Sequence, residues 1–469
     1  MHTVVRGLLP NGLRIVHAVR PHIHRAVLAV YVDVGSRHET PRTNGISHFL
    51  EHMLFRGTRR LPTASQLNEA IETLGATLTA ATHGDYTRFE ITVPPSALTE
   101  AAKLLGEILR APTFSNIDVE RGIVREEILE DLDDDHQDCN LDNLSRRQLF
   151  GRHPLGWRIT GELENVDRFD VAALRSHMRK FYRAGNMVVS VSSPLHPIVV
   201  ANAIARGFRG LPPGITRPLP RYEVTQHRAR IDCRSTVGAQ TSVRLAFPTP
   251  GAESPLGLAS DMLMRVLDDG MSTRLHRRVC DELGLVYSIH ANVELFRDVG
   301  ALEIASNVAH ANVPVLIAEV LGVLASLARD GVTASELERI KTRALFDLDA
   351  IDDDATALAD YYGAAAVTNR SGDLAQRRRR VAGLTRDDLR RAAAAVFTPS
   401  RLNLVSLGDA SSSTRRGIRQ ALRRFRDALP RATVRSFPLH LPSEQRIRPW
   451  TYAINRVPAA ALDSRGTHP

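Results

Sequence analysis

Residues His48, Glu51 and His52 have the types and the spacing that a hydrolytic metal site requires. They belong to the run His48-Phe49-Leu50-Glu51-His52, in which two histidines stand four apart with a glutamate one turn after the first. At about 3.6 residues per turn, the three side chains share one face of a helix. Two imidazoles can hold one Zn²⁺, which leaves the Glu51 carboxylate beside a metal-bound water. The run predicts a helical zinc site that needs a third ligand from elsewhere in the chain.

That ligand is expected on a helix predicted over residues 116–133, which is rich in carboxylates. Its acidic side chains include Glu120, Glu126, Glu127, Glu130 and Asp131. Glu120 and Glu127 are seven apart and point the same way on a helix. Spacing alone does not choose between Glu126 and Glu127, and most of these acids also fit a solvated helix face.

The composition is that of a globular protein. Of the 469 residues, 43% are hydrophobic and 24% are charged. No uninterrupted apolar run approaches the roughly 18 residues of a membrane span, and the N-terminus lacks an apolar signal core. The scattered Cys139, Cys233 and Cys280 form neither a disulfide framework nor a CxxC pair, so reduced thiols are expected. These features predict a cytoplasmic protein without a membrane partner.

Arginine carries almost all of the positive charge in a chain whose net charge is +9. A compact basic run occupies residues 377–380, and further arginines lie between 415 and 435. Such runs can bind nucleic acid or another anionic partner. We favour solvated helix faces with acidic neighbours, because no aromatic stacking motif accompanies the runs.

Strand and helix patterns alternate through the first half of the chain. Strands are predicted over 13–19, 26–34, 76–81 and 86–93, and helices over 65–74, 96–109 and 116–133. In the last strand, Phe89, Ile91 and Val93 alternate with polar residues, which is typical of a half-buried strand. A Pro/Gly-rich break from Leu211 to Pro220 is the best candidate for a domain boundary.

After this break the pattern restarts, which indicates a diverged internal repeat. Strands are predicted over 240–247, 285–291 and 300–306, and helices over 256–267, 272–283, 313–328 and 334–349. Aligning Gly45 with Gly257 places residues without ligand chemistry opposite the three motif residues, namely Ser260, Leu263 and Met264. We predict a zinc-binding domain over 1–212, a homologous domain without metal over 222–435, and a tail over 436–469.

Several segments beyond the motif resemble one known family. They read GSRHE at 35–39, GISHFLEHMLFRGT at 45–58, ERGIVREEI at 120–128, HPLG at 153–156 and NMV at 186–188. Together they resemble the pitrilysin/insulinase, or inverzincin, metallopeptidases, specifically the bacterial branch similar to mitochondrial processing peptidase. The resemblance extends over most of residues 1–430.

This resemblance completes the expected site. It implies one Zn²⁺ per chain, held by His48, His52 and Glu127, with Glu51 as the catalytic residue that activates the metal-bound water. It places Glu120 in a supporting catalytic role, in which its carboxylate orients a ligand histidine or tunes the site.

The resemblance also implies a fold and a function. The fold is α+β, with two homologous domains that each have a mainly antiparallel sheet covered by helices and that together form a half-shell. Two half-shells would enclose a chamber for peptides or unfolded segments. The expected function is that of a zinc-dependent endopeptidase. The alternative is a non-catalytic or partner-dependent chamber-forming subunit of a heteromeric peptidase.

Substrate contacts are expected from Thr79, Tyr287 and Arg277. Thr79 lies in the predicted edge strand 78–82, where the family usually has asparagine. Tyr287 fits the tyrosine of the family's Arg…Tyr pair, but Cys280 stands at the arginine position, and Arg277 lies one helical turn before it. We expect a homodimer, with a heterodimer whose homologous partner supplies the missing arginine as the alternative.

Other histidines are weaker candidates for metal binding. His22 and His24 lie in a polar connection without nearby carboxylates, and His136 follows a run of three aspartates. We interpret all three as residues of solvated loops.

Overall fold

The computed structural model describes residues 2–215, 221–368 and 372–429. In chain order its strands are β1 Thr3–Leu8, β2 Arg14–Val19, β3 Ala26–Val32, β4 Thr77–Thr82, β5 Thr87–Val93, β6 Met187–Ser193, β7 Arg230–Ser235, β8 Gln240–Pro250, β9 Ile289–Leu295, β10 Val299–Ala309 and β11 Asn403–Gly408. Its helices are α1 Ile46–Leu54, α2 Ala64–Thr73, α3 Leu98–Ile108, α4 Ile117–Leu129, α5 Leu141–Phe150, α6 Leu163–Val166, α7 Val171–Phe181, α8 Pro197–Gly207, α9 Gly257–Leu267, α10 Val313–Asp330, α11 Ala334–Asp353, α12 Ala355–Val367, α13 Leu374–Ala382, α14 Arg386–Val396 and α15 Ser412–Ala428. A π-helix, His276–Glu282, lies between α9 and β9.

The first sheet has the order β1-β2-β6-β3-β5-β4. Its neighbouring strands pair antiparallel except for β2 and β6, which are parallel. Strand β4 is the last in the order, so one of its backbone edges has no strand partner within the described residues. The helix that carries the histidine motif, α1, packs against this edge strand and against α4.

The second sheet repeats the topology of the first. Its order is β7-β11-β8-β10-β9, with one parallel pair, β7 with β11, and antiparallel pairs elsewhere. Each strand therefore has an equivalent in the first sheet, and β9 is the equivalent of the edge strand β4. Two mainly antiparallel sheets with covering helices confirm the predicted α+β class.

Each half of the chain covers the sheet of the other half with one helix. Helix α12 packs on β2, β3 and β6 of the first sheet, whereas α5 packs on β8 and β11 of the second. Strand β3 is buried along its whole length, because helices of its own half cover one face and α12 covers the other. Helices α5 and α12 thus each pack on the half of the chain to which they do not belong. The boundaries predicted for the two domains stay a prediction.

The predicted elements agree with the structure in order and differ at several ends. The helix predicted over 116–133 ends at Leu129, and the strand predicted over 285–291 begins only at Ile289. The helix predicted over 272–283 is a π-helix over seven of those residues. The Pro/Gly break lies partly, and the tail 436–469 wholly, outside the described residues, as do Arg431 and Arg435 of the basic segment.

Helix α10 is long and apolar enough to cross a membrane by length and composition alone. Glu319 interrupts the apolar run of this segment, so an uninterrupted-run criterion does not detect it in the sequence. In the structure α10 packs against α14 and α15, and nine of its side chains are buried. It forms part of the core beside the second sheet.

Candidate metal centre

Helix α1 begins in a tightly packed and fully hydrogen-bonded corner. The Glu39 carboxylate accepts hydrogen bonds from the backbone N–H groups of Gly45 and Ser47, each at 2.9 Å, and from the side chain of Asn44 at 3.1 Å. It thereby satisfies donors at the start of the helix that have no partner within it. Gly45 has φ = 95°, and a Cβ there would lie 2.7 Å from Gly161 Cα. The position of α1 is therefore fixed at its first residue.

The structure brings His48, His52 and Glu127 together between α1 and α4. Their ligand atoms all lie within 4.8 Å of one another. Nε2 of His48 is 3.5 Å from Oε1 of Glu127, and Nε2 of His52 is 3.7 Å from Oε2 of the same carboxylate. Two donors on one tetrahedral zinc with bonds near 2.1 Å are separated by about 3.4 Å. The donor set of two imidazoles and one carboxylate, and its spacing, both fit a catalytic zinc site.

Glu120 holds the second histidine in place. Nδ1 of His52 donates to Oε1 of Glu120 at 2.8 Å, and Arg56 pairs with the other oxygen of Glu120. With its proton on Nδ1, the His52 ring presents a free electron pair at Nε2, on the side of Glu127. Burial would raise the pKa of Glu120, but the bonds to His52 and Arg56 hold it below its usual value. Glu120 therefore stays ionised as an acceptor.

The surroundings of His48 favour its neutral imidazole form, in which a ring nitrogen can bind a metal. Burial, helped by the neighbouring His52, lowers the pKa of His48 to about 3. Its Nδ1 atom is buried without a hydrogen-bond partner in the described part of the chain. Burial raises the pKa of Glu127 although its side chain is 41% exposed, and nearby Asp131 and Glu130 add to this effect.

Glu51 lies on the same face of α1 and is held from the edge strand. The hydroxyl of Thr82 donates to Oε2 of Glu51 at 2.7 Å. Burial raises the pKa of Glu51, whereas the Thr82 hydrogen bond and the nearby His52 oppose that rise. The carboxylate is buried beside the three candidate ligands and outside their group, which is the position that a general base would need.

Within the described residues, no hydrogen bond or ion pair joins the predicted substrate residues to this cluster. Thr79 is exposed on β4, opposite Glu90 of β5. Tyr287 is 98% exposed just before β9, and Arg277 lies in the π-helix, 3.4 Å from Glu282. The i→i+5 pattern of a π-helix widens the turn. Arg277 and Cys280, which are three apart, therefore share a face less well than they would in an α-helix. The substrate roles of Thr79, Tyr287 and Arg277 stay predictions.

Sequence reasoning missed four residues that shape the site. Glu39 and Asn44 hold the start of α1, Arg56 pairs with Glu120, and Thr82 bonds to Glu51. The signal for two of them was present, since Glu39 ends the segment 35–39 and Arg56 lies in the segment 45–58. Thr82 gave no signal, because its role depends on how β4 packs against α1.

The equivalent position in the second half lacks ligand chemistry. Ser260 and Leu263 of α9 are buried, and Met264 lies beside them. Within the described residues, the first half holds the one group of His, Cys, Asp and Glu side chains close enough to share a metal ion.

The basic runs are partly neutralised. Arg377 pairs with Asp261 at 2.6 Å, and Arg378 pairs with Asp349. These acidic neighbours support the interpretation of residues 377–380 as part of a solvated helix face.

Comparisons with known proteins place this geometry in context. The pattern of the family described as "Insulinase (Peptidase family M16)" matches residues 14–161, and that described as "Peptidase M16 inactive domain" matches residues 168–344. A relative named an uncharacterized zinc protease, from Mycobacterium tuberculosis, is 33% identical over 351 residues, which is 71% of this chain and 76% of the relative. The mitochondrial-processing peptidase subunit beta of Blastocladiella emersonii is 30% identical over 260 residues, 54% of this chain and 55% of that protein. A protease from Helicobacter pylori has a similar fold, with a TM-score of 0.79 at 21% identity over 87% of this chain and 100% of that one.

Proposed function

This chain belongs to the insulinase family, peptidase family M16, and from that premise we propose that it is a zinc-dependent endopeptidase acting on peptides or unfolded segments. The observation that carries the proposal is the convergence of His48, His52 and Glu127 beside the Glu51 carboxylate. Relatives named zinc proteases support the choice of metal.

Each residue of the site has a distinct part in the proposed reaction. His48, His52 and Glu127 would hold one Zn²⁺ per chain, and Glu120 would keep His52 in the ligating tautomer. When bound, zinc supplies Lewis-acid polarisation of the scissile carbonyl and lowers the pKa of a coordinated water towards about 7.

Glu51 performs the proton transfers. Its carboxylate takes a proton from the attacking water as the new C–O bond forms at the peptide carbonyl. It then delivers that proton to the amide nitrogen as the C–N bond breaks, so a free carboxylate and a free amine leave the site. Its burial beside His52 supports this assignment, because a partly desolvated carboxylate is a stronger base than one in water.

Strand β4 is the proposed binding edge for the substrate. It is the last strand of the first sheet and packs on α1, so a peptide added beside it would pass close to Glu51. Backbone pairing of this kind tolerates many sequences, with side-chain pockets supplying any preference. Thr79, exposed on this strand, would contact such a peptide.

A partner-dependent subunit is the second candidate. Cys280 stands where the family pair requires arginine, and the described residues show no contact that joins Arg277 or Tyr287 to the metal cluster. The similarity to a protein named as a beta subunit also favours an assembly of homologous chains. A homodimer and a cytoplasmic location stay predictions from the sequence.

Removal and return of the metal test the proposal. The purified chain is freed of metal with a chelator, and digestion of an unfolded polypeptide is followed by mass spectrometry before and after one equivalent of Zn²⁺ is added. We expect internal cleavage only with zinc. Zinc binding without cleavage by the chain alone, together with cleavage after a homologous chain is added, would support the partner-dependent subunit. Absence of zinc binding would contradict both candidates.

A further inference from the structure

The hydroxyl of Thr82 contacts the carboxylate of Glu51, and both residues lie where rigid elements meet. Thr82 is the last residue of β4 and pairs with Thr87 of β5. Thr87 is fully buried, and its own hydroxyl donates to the carbonyl of Val34 at 2.8 Å. The end of β4 is therefore fixed to the sheet, and the Thr82 hydroxyl has a defined position.

The contact of Thr82 with Glu51 is between a neutral group and a carboxylate, unlike the contacts that hold Glu120, the other buried carboxylate of the site. Glu120 is held by the guanidinium of Arg56 and the imidazole of His52, which keep its charge in place. Glu51 receives a hydrogen bond from a neutral hydroxyl, at 2.7 Å, on one of its two oxygens. Within the described ranges Thr82 holds Glu51 through its hydroxyl and its backbone, and no charged side chain is hydrogen-bonded to this carboxylate.

A glutamate has three rotatable side-chain bonds, and anchoring one oxygen removes most of that freedom. A general base must lie within hydrogen-bond reach of the proton that it takes, so an unanchored carboxylate spends time in unproductive rotamers. The anchor belongs to the strand that we propose as the binding edge.

We propose that Thr82 is a positioning residue for Glu51. This inference rests on the proposed endopeptidase function. It concerns the chemical step, so the loss of the hydroxyl acts on kcat and leaves substrate binding by the β4 backbone nearly unchanged.

The test compares zinc-loaded Thr82→Val with Thr82→Ser on one unfolded polypeptide substrate. Valine keeps the shape of threonine without the hydroxyl, and serine keeps the hydroxyl. We expect kcat to fall about 10- to 100-fold in Thr82→Val, the range for loss of a hydrogen bond to a charged group, while KM changes less than about threefold. Thr82→Ser should restore kcat to within about threefold of the wild-type value.

Two further variants provide matched controls. Thr342→Val makes the same chemical change at an exposed position of α11, outside β4 and the metal cluster, and kcat should stay within about twofold of wild type. Tyr182→Phe removes a buried hydroxyl that has no hydrogen-bond partner in the described residues. Burial raises the pKa of Tyr182, and the charge of the nearby Glu51 adds to this rise. A kcat loss in Tyr182→Phe equal to that in Thr82→Val would assign the anchor to Tyr182 and overturn the inference.

A crystal structure of each variant separates failure of this inference from failure of the proposed function. We expect Glu51 to keep its rotamer in Thr82→Ser and to lose it in Thr82→Val. An unchanged Glu51 rotamer and an unchanged kcat in Thr82→Val would overturn the positioning role. The wild-type chain could bind zinc and cleave nothing while the Glu51 rotamer still changes in Thr82→Val. That result would refute the endopeptidase proposal and leave the contact between Thr82 and Glu51 established.

Discussion

Nδ1 of His52 lies 2.8 Å from Oε1 of Glu120, and this contact turns the opposite ring nitrogen towards Glu127. Because Arg56 pairs with the same Glu120, the carboxylate stays ionised as an acceptor for Nδ1 of His52. We therefore expect the affinity of the site for metal to depend on a residue that would not touch the metal.

The first prediction concerns this supporting carboxylate. Glu120→Gln removes the charge that accepts the His52 proton, so the zinc dissociation constant should rise about 10- to 100-fold. Competition with a calibrated chelator at constant pH measures the change. Glu126→Gln is the matched control, because Glu126 is exposed on the same helix and should leave the zinc affinity unchanged. Equal affinities in wild type and Glu120→Gln would show that His52 needs no support.

The second prediction identifies the third ligand. Glu127→Gln removes the carboxylate whose oxygen lies within 4.8 Å of a ring nitrogen of each histidine, and zinc affinity should fall by more than about 100-fold. The neighbouring Glu126→Gln should bind one zinc per chain as the wild type does. If Glu126→Gln loses zinc and Glu127→Gln keeps it, the ligand assignment is reversed.

Local patterns predicted the separate strands and helices and the shared face of His48, Glu51 and His52, whereas the α+β fold class came from the family resemblance. Alternating residues such as Phe89, Ile91 and Val93 mark a strand, and the spacing of His48, Glu51 and His52 marks one face of a helix. The choice of Glu127 over Glu126 needed family resemblance, since both sit on one carboxylate-rich helix. In the structure Glu126 is exposed and Glu127 lies against the histidines.

Contacts between distant segments could not be predicted in this way. Thr82 reaches Glu51 only because β4 packs against α1, and Glu39 caps α1 only because the loop between them turns back. The packing of α5 and α12, each on the sheet of the opposite half, is also a contact between distant segments. No periodicity reveals which sheet an amphipathic helix covers.

The third prediction tests the packing of α12 on the first sheet, at the point where Gly363 approaches Tyr31. A Cβ added at Gly363 would lie 2.0 Å from the ring of the fully buried Tyr31, which cannot move without disturbing β3. Gly363→Ala should therefore lower the free energy of unfolding by about 1–3 kcal/mol, the usual cost of overpacking. Thermal or denaturant unfolding measures this change.

Gly322→Ala provides the control for the third prediction. Gly322 lies in α10, where an added Cβ meets nothing within 4 Å. Alanine is the better helix former, so this variant should be up to about 1 kcal/mol more stable than wild type. A Gly363→Ala protein as stable as Gly322→Ala would mean that α12 does not pack on Tyr31.

The fourth prediction concerns stability in acid. Burial lowers the pKa of His17 to about 4, although a hydrogen bond with Ser193 opposes the shift. The folded protein holds His17 neutral, whereas the unfolded chain protonates it below about pH 6.5. Its contribution to stability is complete above that pH and is lost as the pH falls towards 4.

Between pH 7 and pH 5 this loss amounts to about 2 kcal/mol, from the difference between the folded and unfolded pKa values. The free energy of unfolding of wild type should therefore fall by about 2 kcal/mol more than that of His17→Gln over this range. Parallel pH profiles for the two proteins would show that His17 is protonated equally in both states.

The most direct measurement compares cleavage by wild type and Glu51→Gln at equal zinc occupancy. Both proteins are loaded with zinc, the metal content per chain is determined, and the initial rate of cleavage of an unfolded polypeptide is followed. Because Glu51 is proposed to accept and return the proton without binding metal, we expect one zinc per chain in both and a rate at least about 100-fold lower in Glu51→Gln. Equal rates in the two zinc-loaded proteins would contradict the assignment of Glu51 as the base and, with it, the proposed mechanism.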